Sequence, residues 1–271
     1  MRRCVLFLCA AAAWAQPHVV FVTGDDEYRS ESSMPAIARI LERHHGLRTS
    51  VAMAKPSPAT MDNIEGLEAL ESADLAVFYL RWRTLPRAQM DRIVAYLDAG
   101  KPVAGLRTST HAFRYPEGSP YAVWNDGFGI DVLGQKWIRH HGHQSRTAVS
   151  TTGDHPILRG LPQHFEVRSW LYVVEPLHGD AVPLLTGRAL NPQGGKDWGP
   201  QPVAWTKTWR GARVFMTTLG HPEDFSVLAV RRLLIHGILW ALGRDIPAAG
   251  AAADFPVPYD PPASGIARPS R

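Results

Sequence analysis

A chain of 271 residues with a formal charge of +4, 45% hydrophobic residues and 20% charged ones has enough apolar matter for a sizeable folded core. The charge balance is too slight, and the lysines and arginines too scattered, for a nucleic-acid-binding protein. Both cysteines, Cys4 and Cys9, fall in the first fifteen residues, so the remainder offers no disulfide, thiolate ligand or cysteine nucleophile.

That first segment, residues 1–15, reads as a secretory signal. Met1, Arg2 and Arg3 make a basic start, Cys4 to Ala13 an apolar stretch, and Ala13-Trp14-Ala15 a small-x-small cleavage site. An exported, periplasmic or extracellular protein is expected. No membrane span is expected, because a span takes roughly 20 apolar residues.

From His18 to Thr23 an apolar run suits a strand buried on both faces. Ser33 to His44 follows at helical spacing and stops at Gly46. Arg48 to Ala54 reads as a second strand, Ile64 to Ser72 as a short helix and Leu75 to Leu80 as a third strand. Pro86 to Ala99 presents Met90, Ile93, Val94 and Leu97 on one helical face, with Gly100 just past its end. Pro102 to Leu106 is a fourth strand. Strands and helices alternating at this spacing predict an α/β protein with a doubly wound, mostly parallel sheet covered by helices on both faces. One domain is expected over residues 16–246.

The segment from His111 to Gly142 has no period and predicts a lid or pocket wall. Thr147 to Thr151, Glu166 to Val173, Ala181 to Thr186, Val203 to Thr208 and Arg213 to Thr218 read as strands, the last two as an antiparallel hairpin about Arg210-Gly211. Phe225 to Leu242, apolar almost all round, predicts a buried closing helix. Residues 247–271, rich in proline and alanine, predict an extended tail draped on the domain at Phe255 and Tyr259.

In such sheets ligands bind outside the carboxyl ends of the strands. Four polar corners are predicted to share that rim. The first strand leads into Asp25, Glu27 and Arg29; the third into Arg81 and Arg83; the fourth into Arg107, Thr108 and His111; the last into His221, Glu223 and Asp224. Asp25 and Glu27 could serve as base and acid or hold sugar hydroxyls, or simply pair with Arg29. The guanidinium groups of Arg81, Arg83 and Arg107 suit binding or oxyanion stabilisation. His111 and His221 are candidate acid/base groups, His221 oriented by Glu223. His140-His141-Gly142-His143 lacks a diagnostic metal spacing, and His236 is expected to be a core histidine. Trp124, Trp137, Trp198 and Trp205 could face pyranose rings or pack as walls.

The GDDEYRSE loop, the strand with Tyr79 and Arg81 near its end and the segment GKPVAGLRTSTHAF resemble the ThuA-like (trehalose-utilisation) family. The resemblance implies a class I glutamine amidotransferase-like fold, a flavodoxin-like arrangement, and a carbohydrate partner, a disaccharide or its 3-keto derivative. His221-Pro222-Glu223 is similar to the His-Pro-Glu segment of the amidotransferases, but Arg107 occupies the position of their nucleophilic cysteine, so glutaminase activity is not expected. Three functions follow. The first is an acid/base enzyme on a sugar with no cofactor. The second is a sugar-binding module. The third is a hydrolase holding a divalent metal through His111, His221 and nearby carboxylates.

Overall fold

The computed structural model describes residues 16–265. The expected signal segment, with Cys4 and Cys9, lies outside the described residues, as do the last six residues of the tail. Among the described residues no helix is long and apolar enough to cross a membrane.

Two βαβ crossovers, joined by a connection through a 3₁₀ turn, open the chain. Strand β1 (His18–Gly24) leads into α1 (Ser30–His45) and β2 (Arg48–Ala54), which pairs in parallel with β1. A two-residue edge strand, β3 (Ile64–Glu65), precedes a 3₁₀ turn over Leu67–Ser72. The sequence predicts one helix there. Gly66 divides it, because its φ of 92° cannot continue a helix and a Cβ would come within 3.3 Å of Ala52 Cα. Then β4 (Leu75–Leu80), α2 (Arg87–Asp98) and β5 (Val103–Leu106) complete the unit.

The irregular segment holds a 3₁₀ turn over Arg107–His111, the single turn α3 (Trp124–Gly127), a wider π turn over Phe128–Leu133 and the short β6 (Arg139–His140). Thereafter come β7 (Arg146–Thr151), β8 (His164–Val167), β9 (Tyr172–Val173), β10 (Val182–Leu190), β11 (Gln201–Trp209) and β12 (Ala212–Thr217), with α4 (Leu228–Ala241) closing the fold. The stretch expected as one strand, Glu166 to Val173, is thus two, and they belong to different sheets. Ser169 and Trp170 lie between them, turned aside where the Asp224 carboxylate accepts the Arg168 and Ser169 amides at 2.8 and 3.0 Å.

The large sheet runs β3-β2-β1-β4-β5-β12-β11-β10-β7-β8. Strands β2, β1, β4, β5 and β12 are mutually parallel, the flavodoxin-like heart of the molecule. The β11–β12 hairpin is antiparallel, as its turn residues predict, and β10, β7 and β8 extend it. Alternate residues of each central strand feed two cores. Val19, Phe21, Leu75, Val77 and Tyr79 pack under α1 and α4; Val20, Val22, Ala76 and Phe78 pack under α2 and the π turn. Each fully buried side chain of this size contributes about 1.5–3 kcal/mol. Because β1 sits between β2 and β4, the chain reverses direction across the sheet there, and a crevice opens at the carboxyl ends.

Candidate functional site

The first corner is built around the Asp25 carboxylate. One oxygen accepts the amides of Glu27 and Tyr28 at 2.7 and 2.9 Å, folding the loop back on itself, and the other accepts the Thr108 hydroxyl from the end of β5. Asp25 is fully buried, and desolvation pushes its carboxyl up to about 6 against the hydrogen bond from Thr108 and the backbone amides. It holds the loop together and does not line the cavity.

Asp26 receives Arg83 at 3.2 Å and Arg81 at 3.5 Å. Arg83, wholly buried, also donates to the carbonyls of Arg81, Pro58 and Thr60. It is scaffolding behind the rim. Arg29 pairs with Glu31 at 2.5 Å, outside the cavity. Arg81 is the arginine that reaches the crevice. Its Nε lies 2.9 Å from Glu27 Oε2, out of line for a hydrogen bond, and its guanidinium lies 3.8 Å from the Trp82 ring centroid.

Arg107 emerges from β5 with φ 41°, an unusual backbone for a side chain with a Cβ. Its guanidinium is fully buried and meets no carboxylate among the described residues. It donates to the Thr218 carbonyl at 2.9 Å, the Trp170 carbonyl at 3.4 Å and the Tyr28 hydroxyl at 3.0 Å, and lies over the Tyr28 and Tyr172 rings at 4.1 and 4.6 Å. A buried cation compensated only by carbonyls and π faces spreads a positive field.

That field acts on histidines already disfavoured by burial. Desolvation, then Arg81 and Arg107, holds His111 down to about 3. Desolvation, then His143 and Arg107, holds His140 down to about 4. Both rings are neutral at ordinary pH, and their partners fix the tautomers. The Thr110 hydroxyl spends its proton on the Arg107 carbonyl, so His111 Nδ1 donates to Thr110 at 3.2 Å and its Nε2 is an acceptor. His140 Nδ1 accepts the Gly142 amide at 3.0 Å, which leaves Nε2–H as a donor.

These groups surround a cavity of about 200 Å³. Glu27, Tyr28, Arg81, His111, His140 and His143 supply its polar lining. Trp82, Trp137, Trp170 and Tyr172 complete the wall. His111 lies between Trp82 and Trp137, with ring centroids 5.5 and 5.2 Å away. A wider groove of about 450 Å³ runs along the flank of α2 between Leu70, Tyr96 and Lys101, away from these strand ends.

His221 stands just outside. Its ring meets Tyr28 edge-on at 6.1 Å. Desolvation, then Arg107 and Arg168, holds it down to about 3. Nδ1 accepts the Glu223 amide at 3.2 Å, whereas the Glu223 carboxylate is 3.9 Å away and exposed. Backbone, and not the Glu223 side chain, orients the imidazole. Asp224 is the buried clamp: besides the two amides after β8, it accepts those of Gly220 and His221 at 3.0 and 3.1 Å and the Ser169 hydroxyl at 2.5 Å. That clamp fixes the turn and caps the 3₁₀ segment Pro222–Ser226, so α4 begins only at Leu228.

The four corners therefore meet around Tyr28. Of the residues singled out in the sequence, Glu27, Arg81 and His111 line the cavity; Asp25, Thr108, Arg107 and Asp224 support it; Arg29 and Glu223 point elsewhere. Sequence reasoning did not single out Tyr28 or Tyr172. The signal for Tyr28 was available, an aromatic residue inside the most acidic corner. Tyr172 and His140 are brought in by the β6–β9 pairing, in which they are register partners.

A family model, ThuA, described as trehalose utilisation, matches residues 18–241. The chain belongs to the ThuA family. Among solved structures, a ThuA-like protein from Bacteroides uniformis is 19% identical with a TM-score of 0.60, over 87% of this chain and 96% of that one. Another from Parabacteroides merdae is 17% identical with a TM-score of 0.60, over 88% and 98%. The carbohydrate deacetylase Agd3 shares the fold at 14% identity and a TM-score of 0.50, over 84% of this ThuA chain and 32% of its own. No curated protein matches the sequence. Among the described residues no group of three or more histidine, cysteine, aspartate or glutamate side chains is placed to hold a metal ion.

Proposed function

We propose that this ThuA protein is exported and binds a carbohydrate, a disaccharide or 3-keto-glycoside, in the cavity at Glu27, and that it moves a proton where the bound sugar bears a carbonyl group. One observation carries this reading: a ring-sized cavity walled by indole and phenol faces, with a carboxylate, a guanidinium and two neutral imidazoles of opposite hydrogen-bonding sense on its rim. Aromatic faces suit the apolar faces of pyranoses, and the mixed donors and acceptors suit their hydroxyls. Trehalose utilisation, the family's description, agrees with a sugar ligand.

The chemistry follows from the groups present. Glu27 carboxylate takes the proton from the carbon next to the carbonyl. The C–H electron pair becomes the new C=C bond, and the carbonyl π pair moves onto oxygen. The resulting enolate oxygen is held by His140 Nε2–H, while Arg81 steadies the carboxylate. Where the deprotonated carbon bears a hydroxyl, that hydroxyl gives its proton to the enolate oxygen and Glu27 returns its own to the former carbonyl carbon, so the carbonyl moves by one position; loss of a β-substituent as an alkoxide, protonated by water, cleaves the sugar instead. A neutral imidazole is the fitting donor, since it stabilises the oxyanion without surrendering its proton.

Solvent-hydrogen exchange into a 3-keto-glycoside tests the step. The wild-type chain should exchange the proton next to the carbonyl and turn the sugar over, and Glu27→Gln should lower the rate by roughly 10²–10⁴-fold while the sugar still binds. Calorimetric binding with no exchange would replace the enzyme by the second reading, a binding module. That reading draws on the same imidazoles: held at about 3 and 4, neither cycles a proton near neutral pH.

A further inference from the structure

Beyond α4 the chain stays on the domain. The Ala251 amide donates to Nε2 of His236, a buried histidine whose other nitrogen meets the Ile157 carbonyl, both at 2.8 Å. Arg231 donates to the Ala253 carbonyl at 2.7 Å. Phe255 stacks on Tyr259 at 4.9 Å, and the Tyr259 hydroxyl donates to the Pro222 carbonyl at 3.1 Å. These anchors stop at Tyr259. From Asp260 to Gly265 no side chain is buried, and two hydrogen bonds hold the segment. The Ser264 hydroxyl meets His221 Nε2 at 2.8 Å, and the Gly265 amide donates to the Glu27 carbonyl at 2.8 Å.

Both bonds fall on the site. Since His221 Nδ1 already accepts the Glu223 amide, the neutral ring has one donor left, Nε2–H, and the Ser264 oxygen takes it. The imidazole is otherwise shut in, 2% exposed, with Tyr28 between it and the cavity.

We propose that residues 260–265 occupy a second ligand subsite, in which the Ser264 hydroxyl stands in for a ligand hydroxyl at His221. The inference rests on the reading that the cavity takes a sugar. One ring lies against Trp82, Trp137 and Trp170, and the second ring of a disaccharide displaces the end of the strap and meets His221. Pro261-Pro262 stiffens the arm, so that it pivots as a unit after Tyr259. A monosaccharide fills the first position and leaves the strap in place. Disaccharides are thereby selected by what they displace as well as by what they touch.

The test compares three proteins: the full chain, full-length Ser264→Val and a chain ending at Tyr259, which keeps every buried anchor. Acylation of His221 by diethyl pyrocarbonate, read by peptide mass spectrometry, needs no sugar. It should run at least ten-fold faster in the shortened chain, with a smaller gain in Ser264→Val. Calorimetry should show trehalose binding at least five-fold tighter to the shortened chain and glucose binding unchanged. Equal protection of His221 in all three proteins would show that the strap does not cover it, and overturns the proposal. Glucose binding with trehalose indifferent to the strap removes the subsite alone. Absence of binding by either sugar removes the carbohydrate reading and the subsite with it, whatever the acylation rates.

Discussion

Asp25 and Arg107 are opposite charges placed one loop apart in the interior, yet neither neutralises the other. Arg107 spends its donors on two carbonyls and a phenol, and Asp25 accepts only amides and a hydroxyl. The consequence for Asp25 is measurable. Its carboxyl is raised from 3.8 to about 6, so the folded state binds its proton more tightly than the unfolded chain does. Its stabilising contribution is complete below pH 3.8 and is lost as the pH climbs through 6. Asp25→Asn keeps the acceptor for the two amides and removes the ionisation. The variant should match wild type near pH 4 and exceed it near pH 7.5, by up to about 3 kcal/mol if the whole shift is realised. Urea unfolding at the two values checks this; a gap that stays constant with pH would mean that the charge is compensated elsewhere. The histidines run the other way. His111, His140 and His221, lowered from 6.5, lend stability above that value and withdraw it as the pH falls towards 3 or 4.

At the scale of elements, the parallel half could be read from the chain because its strands are continuous apolar runs and its helices end at glycines with helical periodicity before them. β2 and β4 have the bounds that the pattern predicts. The wall of the site was not legible in the same way. β6 and β9 are two residues each, too short for a period, and only their pairing brings His140 and Tyr172 beside His111. Polar corners named Glu27, Arg81 and His111 because strand ends are readable; Arg83 and Asp224 are set behind the rim by groups distant in sequence, Asp26 and the Pro58 and Thr60 carbonyls for the one and the Arg168 and Ser169 amides for the other, which no local pattern records. Element packing also makes a prediction. Gly237 lets α4 lie directly on β12: a Cβ there would come within 2.2 Å of the Phe215 ring. Gly237→Ala gains helix propensity of about 1 kcal/mol but must push the helix off the sheet, and overpacking of this kind costs roughly 1–3 kcal/mol or more. A net loss of stability is expected in thermal unfolding; a variant as stable as wild type would show that α4 can shift freely over Phe215.

For the whole molecule, the path of the chain after α4 decides where the domain ends. Composition marks residues 247–271 as a tail, yet Ala251 and Ala253 are buried and Phe255 and Tyr259 pack against the core under α1 and α4. His44 and His45 at the end of α1 meet the carbonyls of Asp254 and Ala252 at 3.1 and 2.7 Å. The strap therefore ties the first helix to the last and carries Ser264 to the opposite end of the sheet. Ending the chain at Ile246 uncovers that apolar strip and removes the Ala251 amide from His236 Nε2 and the Ala253 carbonyl from Arg231 Nε. Two buried alanines, two half-buried rings and several hydrogen bonds together amount to roughly 3–5 kcal/mol, and in a domain of this size that corresponds to roughly 6–20 °C in Tm. Ending it at Tyr259 removes two hydrogen bonds and no buried side chain, and should move Tm by no more than about 2–4 °C. Melting curves of the two shortened chains beside the full one separate a structural strap from a loose tail: if both melt with the full chain, the anchors at Ala251 to Tyr259 contribute nothing to the fold, and His221 is held by the body of the domain alone.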